Sequence, residues 1–486
     1  MNAGPRSKNW SDLLDGLARP VDEVAVTDLC LDCRQVAPGA LFIAVQGRTC
    51  HGAEFIEAAV AAGAVAVLHD GAHRLSSEVA VPTLALPDLQ RHLPTLAKRF
   101  WPAVSSMDLV AVTGTNGKTS VAWLLAQALD GAMLGTLGIG RPGEHRAGTH
   151  TTPDLFSVYR ELAGLKRSGF ERVVLEASSH ALDQGRLRGL EFNSVIFTGL
   201  GHDHLDYHRD LEAYFEAKAR LFFDFAAARR IVNLDNARGE QLARRLAGTD
   251  GLIGYTLKDH AAATARLAPR QIDLSGLAAR LHVGDRSIDL RSALLGRINL
   301  HNLTIVALEL NARGSSPEAV AARVAGLRPV PGRMQMLHDR HGRVAVIDYA
   351  HTPDALENVL LSLRELGGER IWCVFGCGGE RDQDKRSAMG RIAESLADRV
   401  ILTDDNPRGE DGTAIVRAIQ AGQHRPERSR VIRDRETAIM TALNESGRGD
   451  VVLIAGKGHE TEQVIGTRRL PFSDEAVVRR WMEVAA

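Results

Sequence analysis

The chain has 486 residues, 44% hydrophobic and 24% charged, with a net charge of −1 at pH 7. That length supports roughly two to four domains, each able to bury a core. The balanced charge gives no electrostatic footprint for nucleic acid or an anionic membrane, and 5% aromatic residues do not suggest base-stacking platforms.

The opening residues MNAGPRSKNWSDLL lack the apolar core of a signal peptide. No apolar run approaches the roughly 18 residues of a membrane span, so a cytoplasmic location without a membrane span is expected. The five cysteines are Cys30, Cys33, Cys50, Cys373 and Cys377. Cys30 and Cys33 form a lone CxxC without a second pair at zinc-finger spacing, which favours reduced structural thiols over a metal site.

In chain order, ALFIAVQG (40–47), EFIEAAVAAG (54–63) and AVAVLHD (64–70) read as strand, helix, strand. Pro and Ser interrupt the pattern at RFWPAVSSMD (99–108). LVAVTG (109–114) then precedes a glycine loop and the helical TSVAWLLAQALDG (119–131), with further strands at RVVLEASS (172–179), SVIFTGL (194–200) and RIVNLD (230–235). After a break at LRPVPGRMQ (327–335), strands recur at VAVIDYA (344–350), IWCVFGCGG (371–379), RVILTDDNP (399–407) and DVVLIAGKG (450–458). The alternation predicts an α/β protein of three domains. These are a small N-terminal α/β domain (1–104), a central P-loop-type parallel sheet with flanking helices (105–330) and a Rossmann-like C-terminal domain (331–486). Chemistry is expected at the carboxyl ends of the strands.

The loop AVTGTNGKTS (111–120) ends like G-x-x-x-x-G-K-[ST] but has Val112 where the first glycine belongs. Gly114, Thr115, Asn116, Gly117, Lys118, Thr119 and Ser120 still supply the parts of a phosphate cradle. The glycines allow close backbone approach, the helix start favours anions, Lys118 can neutralise phosphate oxygens and the Thr119 hydroxyl can reach magnesium. The bland alternative is a glycine turn with an incidental lysine. Glu176 ends a strand, where a carboxylate could hold magnesium. HDHLDYH (202–208) is either a solvated polar loop or a site. In LEAYFEAKARLFF (211–223), Leu211, Tyr214, Phe215, Leu221 and Phe222 form one apolar stripe, with Lys218 in its middle and Arg220 opposite. Burial would favour a neutral, nucleophilic Lys218 amine, open to carbamylation by carbon dioxide. Alternatively the lysine snorkels outward.

TGTNGKTS, LEASSHAL, HDHLDYH, EAKARLF, GRINLHN and DYAHTPDAL together resemble, in content and order along essentially the whole chain, the Mur ligases of peptidoglycan precursor synthesis. The resemblance is closest to members that add diaminopimelate as the third stem-peptide residue. It implies ATP as co-substrate, magnesium, and an acyl-phosphate route from the D-glutamate carboxylate of a UDP-muramoyl dipeptide to an amide. Lys118, Lys218, His204 and Glu176 would be the catalytic residues. Thr119 and Glu176 would serve one magnesium, and His204 and carbamylated Lys218 a second. Asn299, Asn302, Arg333, Asp348 and His351 would complete the ATP site. Leu31, Cys33, Arg48, Thr49, Cys50, His150, Thr151, Thr152, Ser178, Gln184 and Arg186 would contact the UDP-linked substrate. Cys33 stands where serine is usual, His150 where asparagine is frequent, and FTGLGHDH departs from the familiar FTNLTRDH.

The same resemblance places the added amino acid against Arg381, Asp405, Asn406, Pro407, Arg408, Gly456 and Glu460. Diaminopimelate differs from lysine by a distal carboxylate-bearing centre, and an arginine fork pairs with a carboxylate through two parallel bonds. Arg408 in TDDNPRGE (403–410) is the expected reader of that group, and Glu460 could hold the distal ammonium. A lysine-adding sibling is the main rival. A folylpolyglutamate synthase fits the N-terminal LDCR and PGALFIA segments poorly, and a P-loop switch or motor would have no use for an inward Lys218. The substrates are small molecules, and a monomer is expected.

Overall fold

The structure is a computed structural model that describes residues 7–73, 79–148, 150–201, 203, 207–340 and 342–484. The chain divides into two compact units. One comprises 1–113, 130–195 and 208–230, the other 114–129, 196–207 and 231–486.

The first sheet is four parallel strands in sequence order: β1 (Asp28–Cys30), β2 (Ala40–Ala44), β3 (Ala66–His69) and β4 (Thr83–Ala85). All five residues of β2 are buried, as expected for an unbroken apolar run in a parallel sheet. Helix α1 (Ile56–Ala61) contributes Ile56 and Ala59 to a core with Phe42 and Val67.

The central sheet is built on β5 (Asp108–Thr113), β6 (Ala132–Gly135), β7 (Gly138–Arg141), β8 (Glu144–Arg146), β9 (Arg172–Glu176), β10 (Phe192–Phe197) and β11 (Ala227–Asn233). It continues through β12 (Leu252–Thr256), β13 (Ala265–Asp273), β14 (Gly276–Val283) and β15 (Arg286–Ser292), in the order β8-β7-β6-β9-β5-β10-β11-β12-β13-β14-β15. Strand β9 runs parallel to both β5 and β6. Strands β10 and β11 have residues in both units. The antiparallel meander β13–β15 adds to the strands expected from the sequence. In RSIDLRS only alternate side chains are buried, so a half-apolar, charge-rich strand lacks the signal that marks its parallel neighbours. Helix α2 (Lys118–Ala128) is buried on almost every side and packs on α3 (Arg297–Ala312), which is why both are apolar around their circumference.

The third sheet has the order β16-β17-β21-β18-β19-β20, from β16 (Gln335–His338), β17 (Val344–Asp348), β18 (Ile371–Phe375), β19 (Arg399–Leu402), β20 (Ser429–Val431) and β21 (Val451–Ala455). Only β16 is antiparallel. Helices α4 (Pro353–Glu365), α5 (Lys385–Leu396) and α6 (Gly412–Gln420) pack on one face, and α7 (Arg435–Glu445) with α8 (Asp474–Val484) on the other. Inserted strand β21 leaves the carboxyl ends of β17, β21, β18 and β19 side by side.

Among the described residues no helix is long and apolar enough to cross a membrane. The five cysteines are unbridged. Burial pushes the Cys30, Cys373 and Cys377 thiols up to about 12, the behaviour of inert structural thiols.

Helix α5 approaches α6 so closely that a Cβ on Gly390 would lie 2.0 Å from the Ile419 carbonyl oxygen. Gly390→Ala is expected to destabilise the protein by about 1–3 kcal/mol in urea unfolding. Gly326→Ala, whose Cβ meets nothing closer than 3.6 Å, should stay within about 0.5 kcal/mol.

Candidate active site

The glycine loop is held by the segment that follows β10. Thr198 Oγ1 donates to the Asn116 carbonyl at 2.6 Å, the Thr115 amide donates to Gly199 O at 2.9 Å, and the Gly201 amide donates to Thr115 Oγ1 at 2.9 Å. Gly114 has φ 146°, and a Cβ there would lie 1.9 Å from Thr198 Oγ1. Gly117 has φ 86° and caps α2. Both conformations exclude ordinary side chains, and a cradle that admits no Cβ is what close approach to a polyphosphate requires. Lys118 Nζ donates to the loop carbonyls of Gly114 (3.0 Å) and Thr115 (2.8 Å). Thr119 and Ser120 are buried in the first turn of α2.

Asn302 from α3 points its Oδ1 at this loop, 3.4 Å from a Cβ built on Gly117. Its amide nitrogen donates to Asn299 Oδ1 at 2.8 Å, and Asn299 in turn donates to Leu295 O at 2.7 Å. The expected pair is therefore one hydrogen-bonded rod against the glycine loop. At the end of β17, Asp348 and His351, with Arg333 from the segment before β16, gather around Tyr349. Arg333 lies 4.4 Å over the Tyr349 ring, the Met334 amide donates to Asp348 Oδ2 at 2.6 Å, and His351 Nδ1 sits 2.8 Å from Tyr349 O. Burial raises the Asp348 carboxyl, against the pull of Arg333.

The residues expected to hold the amino acid meet at the carboxyl ends of β18, β19 and β21. Arg408 has φ 52°, held by its amide to Val464 O (3.0 Å) and by the Gly466 amide to its carbonyl (2.7 Å). Its guanidinium donates to Gly379 O at 2.7 Å. A Cβ built on Gly378 would lie 3.0 Å from Arg408 Nη1 and 3.8 Å from Arg381 Cγ, so both arginines flank the same glycine. Pro407 is buried between Asn406 and Arg408. Asn406 donates to Glu460 Oε2 at 2.9 Å. Asp405 Oδ2 lies 2.6 Å from a Cβ built on Gly456, room that only a glycine leaves. Burial raises Asp405. Burial also pushes Glu460 upward, but the Lys457 ammonium, the Asn406 hydrogen bond and His459 together outweigh it and hold the carboxyl below its ordinary value.

In the other unit, Glu176 at the end of β9 is fully buried and accepts from the Thr136 amide at 2.7 Å. Thr136 Oγ1 lies 3.1 Å from Thr151 Oγ1, and Thr152 Oγ1 donates to Glu176 O at 2.6 Å. Arg186 donates to Thr152 O (2.6 Å) and to Gln184 Oε1, and Ser178 donates its amide to Thr152 Oγ1 (3.3 Å). Thr151, Thr152, Ser178, Gln184 and Arg186 thus form one cluster beside Glu176. Leu31 and Cys33 follow β1, and Arg48, Thr49 and Cys50 follow the adjacent β2, where the Gly47 amide donates to Cys50 O at 3.0 Å. Hydrogen bonds from Arg34 hold the Asp32 carboxyl below its ordinary value, and the charge of His150 adds to this, placing His150 near the Leu31–Cys33 turn. The helix Leu211–Phe223 buries Lys218 to 1% exposure, with Nζ 4.4 Å from the Tyr214 ring centre. The inward orientation thus prevails over the snorkelling one. His204 lies outside the described residues.

Several residues beside these clusters were not anticipated. Thr136 and Thr198 are the partners of Glu176 and the glycine loop. Arg386, buried, pairs with Glu410 at 2.8 Å and donates to Gly378 O. Lys457 is fully buried in AGKGHE and donates to Glu460 Oε2 (2.9 Å) and Asn406 Oδ1 (3.1 Å). A lysine flanked by two glycines after an apolar strand was the available signal.

A strand–glycine loop–helix unit and a cluster of polar side chains at parallel strand ends are the layout of an α/β nucleotide-binding enzyme. Residues 26–101 match the Mur ligase family catalytic domain, 112–309 the Mur ligase middle domain and 332–458 the Mur ligase glutamate ligase domain. The chain is 46% identical to a UDP-N-acetylmuramoyl-L-alanyl-D-glutamate–2,6-diaminopimelate ligase of Alkalilimnicola ehrlichii, over 97% of this chain and 96% of that one. It is 44% identical to the ligase of the same name from Xanthomonas campestris, over 97% of each. A solved structure of a ligase of that name superposes with a TM-score of 0.70 at 33% identity, covering 99% of both chains. The chain belongs to the Mur ligase family.

Gly114→Ala is expected to lower affinity for ATP at least about tenfold in a direct titration. Gly117→Ala, whose Cβ meets nothing closer than 3.4 Å, should weaken it less.

Proposed function

We propose that this ligase joins meso-diaminopimelate to UDP-N-acetylmuramoyl-L-alanyl-D-glutamate at the expense of ATP, supplying peptidoglycan precursor in the cytoplasm as a monomer. Segment 1–104 would hold the UDP moiety, 105–330 the ATP and 331–486 the incoming amino acid. The observation that carries the reading is the pair Arg408 and Arg381 flanking Gly378, with the backbone of Asn406 beside the same glycine and the Asn406 side chain bonded to Glu460. A guanidinium pair offers donors to a carboxylate and Glu460 an acceptor to an ammonium, so the pocket suits an amino acid with a second zwitterionic end. The names of the relatives support the same substrate.

In the reaction, an oxygen of the D-glutamate carboxylate attacks the γ-phosphorus and ADP leaves, giving an acyl phosphate. The amine nitrogen then attacks the acyl carbon, inorganic phosphate leaves, and the amine's proton passes to solvent. Two anions must meet in the first step, so charge neutralisation dominates the barrier. Lys118 can exchange its loop carbonyls for phosphate oxygens, and the amides at the start of α2 point the same way. Asn299 and Asn302 would steady the nucleotide beside the loop, and Arg333, Asp348 and His351 would close on it from the end of β17. Glu176, Thr119, His204 and Lys218 are the residues we assign to magnesium, which when bound would neutralise the transferring phosphoryl group. The donor set fits a hard cation in being oxygen-rich if Lys218 carries a carbamate. Lys218 is buried beside Tyr214, and a carbamate there would replace a cation with oxygen donors. Protein equilibrated with ¹³C-bicarbonate is expected to give a carbamate carbon signal that Lys218→Met abolishes.

A lysine-adding sibling is the alternative, and Arg408 opposes it, since lysine would leave the guanidinium without a counter-charge. Phosphate release is expected to require both the UDP-linked dipeptide and meso-diaminopimelate. Equal release with L-lysine would remove the specificity argument, and release with neither substrate would return the chain to the switch or motor class. Arg408→Ala should cost at least about 100-fold in kcat/KM for diaminopimelate.

A further inference from the structure

We propose that Lys457 is the positioning residue that sets the amine pocket, holding the Asn406 amide and the Glu460 carboxylate in the one arrangement that presents Glu460 to the substrate's distal ammonium. The inference rests on the diaminopimelate reading above and names the residue on which its selectivity depends.

Lysines are almost never fully buried unless paired, yet Lys457 has no exposed surface. Its ammonium donates to Glu460 Oε2 at 2.9 Å and to Asn406 Oδ1 at 3.1 Å, joining loops that follow different strands, β19 and β21. Asn406 Oδ1 also accepts from the Val464 amide at 2.9 Å. With two donors on the oxygen, the amide cannot flip, and its nitrogen must face Glu460, where it donates to Oε2 at 2.9 Å. Both donors thus converge on one Glu460 oxygen. The Glu460 side chain remains 32% exposed, so the carboxylate so held is still within reach of a substrate ammonium. Lys457 also supplies the charge that keeps this carboxyl ionised against burial. The other charged and titratable groups around Glu460 are His459 on its own turn, buried Asp405, Tyr349 and Arg435. Arg435 is committed to Asp474 by two 2.8 Å bonds, which leaves Lys457 as the cation in direct hydrogen-bond contact with Glu460.

The test is Lys457→Met in the full chain, with KM measured separately for diaminopimelate, ATP and the UDP-linked dipeptide. The expected result is a rise of about tenfold or more in KM for diaminopimelate, with the other two within about twofold. The acid limb of kcat/KM for diaminopimelate should move to higher pH. The sign follows because Glu460 is held low by Lys457, so removing the cation raises its pKa and protonates it earlier as pH falls. Glu460→Gln should raise the same KM and abolish that limb, and Lys457→Met added to it should contribute less than about twofold more. Equal rises in all three KM values, an unmoved acid limb, or effects that multiply in the double variant would each overturn the proposal. Lys457→Gln keeps a donor for Asn406 without the charge and carries the same test if the methionine variant does not fold. A chain that uses L-lysine instead would refute the substrate reading while leaving the Lys457 test intact, with lysine as the varied amine.

Discussion

The structure depends on one constraint, that a parallel strand buried on both faces can present chemistry only past its carboxyl end. Strands β17, β18 and β21 are buried along their whole lengths; Asp348 is the last residue of β17, and the residues assigned to the amino acid lie in the turns that follow β18, β19 and β21. The glycine loop obeys the same rule after β5, as does Glu176 at the last position of β9. Crossovers place these ends side by side, and the sites follow from that placement.

Charge is then handled by pairing within the turns. Arg435 and Asp474 are both fully buried and bond through two parallel contacts, a pairing without which either charge would be strongly unfavourable. Asp405 and Glu460 illustrate how position separates like groups. Burial raises the first, while Lys457, with Asn406 and His459, outweighs burial and lowers the second. The turns after β18, β19 and β21 thereby bring a carboxylate held below its ordinary pKa and two arginines together, charges suited to a zwitterion. A protein of nearly zero net charge can therefore handle strongly anionic substrates through local placement alone.

Much of this was legible in the sequence, and the reasons are specific. VVLIAGKG announces a buried strand and its turn because five consecutive apolar residues precede the glycines, and the inward face of Lys218 follows from helical periodicity in LEAYFEAKARLFF. Strands β13–β15 were not legible, since exposed Arg266, Arg270, Arg286, Asp289 and Arg291 interrupt their apolar pattern. Lys457 was overlooked because a lysine between glycines reads as a solvated loop until Asn406, 51 positions earlier, is brought beside it by the β19–β18–β21 order. Arg386 and Arg435 open helices, where arginine is ordinarily exposed, and their burial depends on tertiary partners that no local pattern encodes. The roles expected of Asn299, Asp348 and Arg381 rest on the family resemblance, since spacing alone does not suggest them.

The central claim is that the pocket around Arg408 selects an amine with a distal carboxylate. The most direct measurement is the mass of the UDP-linked product formed from an equimolar mixture of meso-diaminopimelate and L-lysine. The account predicts a product carrying diaminopimelate almost exclusively. A mixture of the two products in comparable amounts, or the lysine product alone, would contradict it.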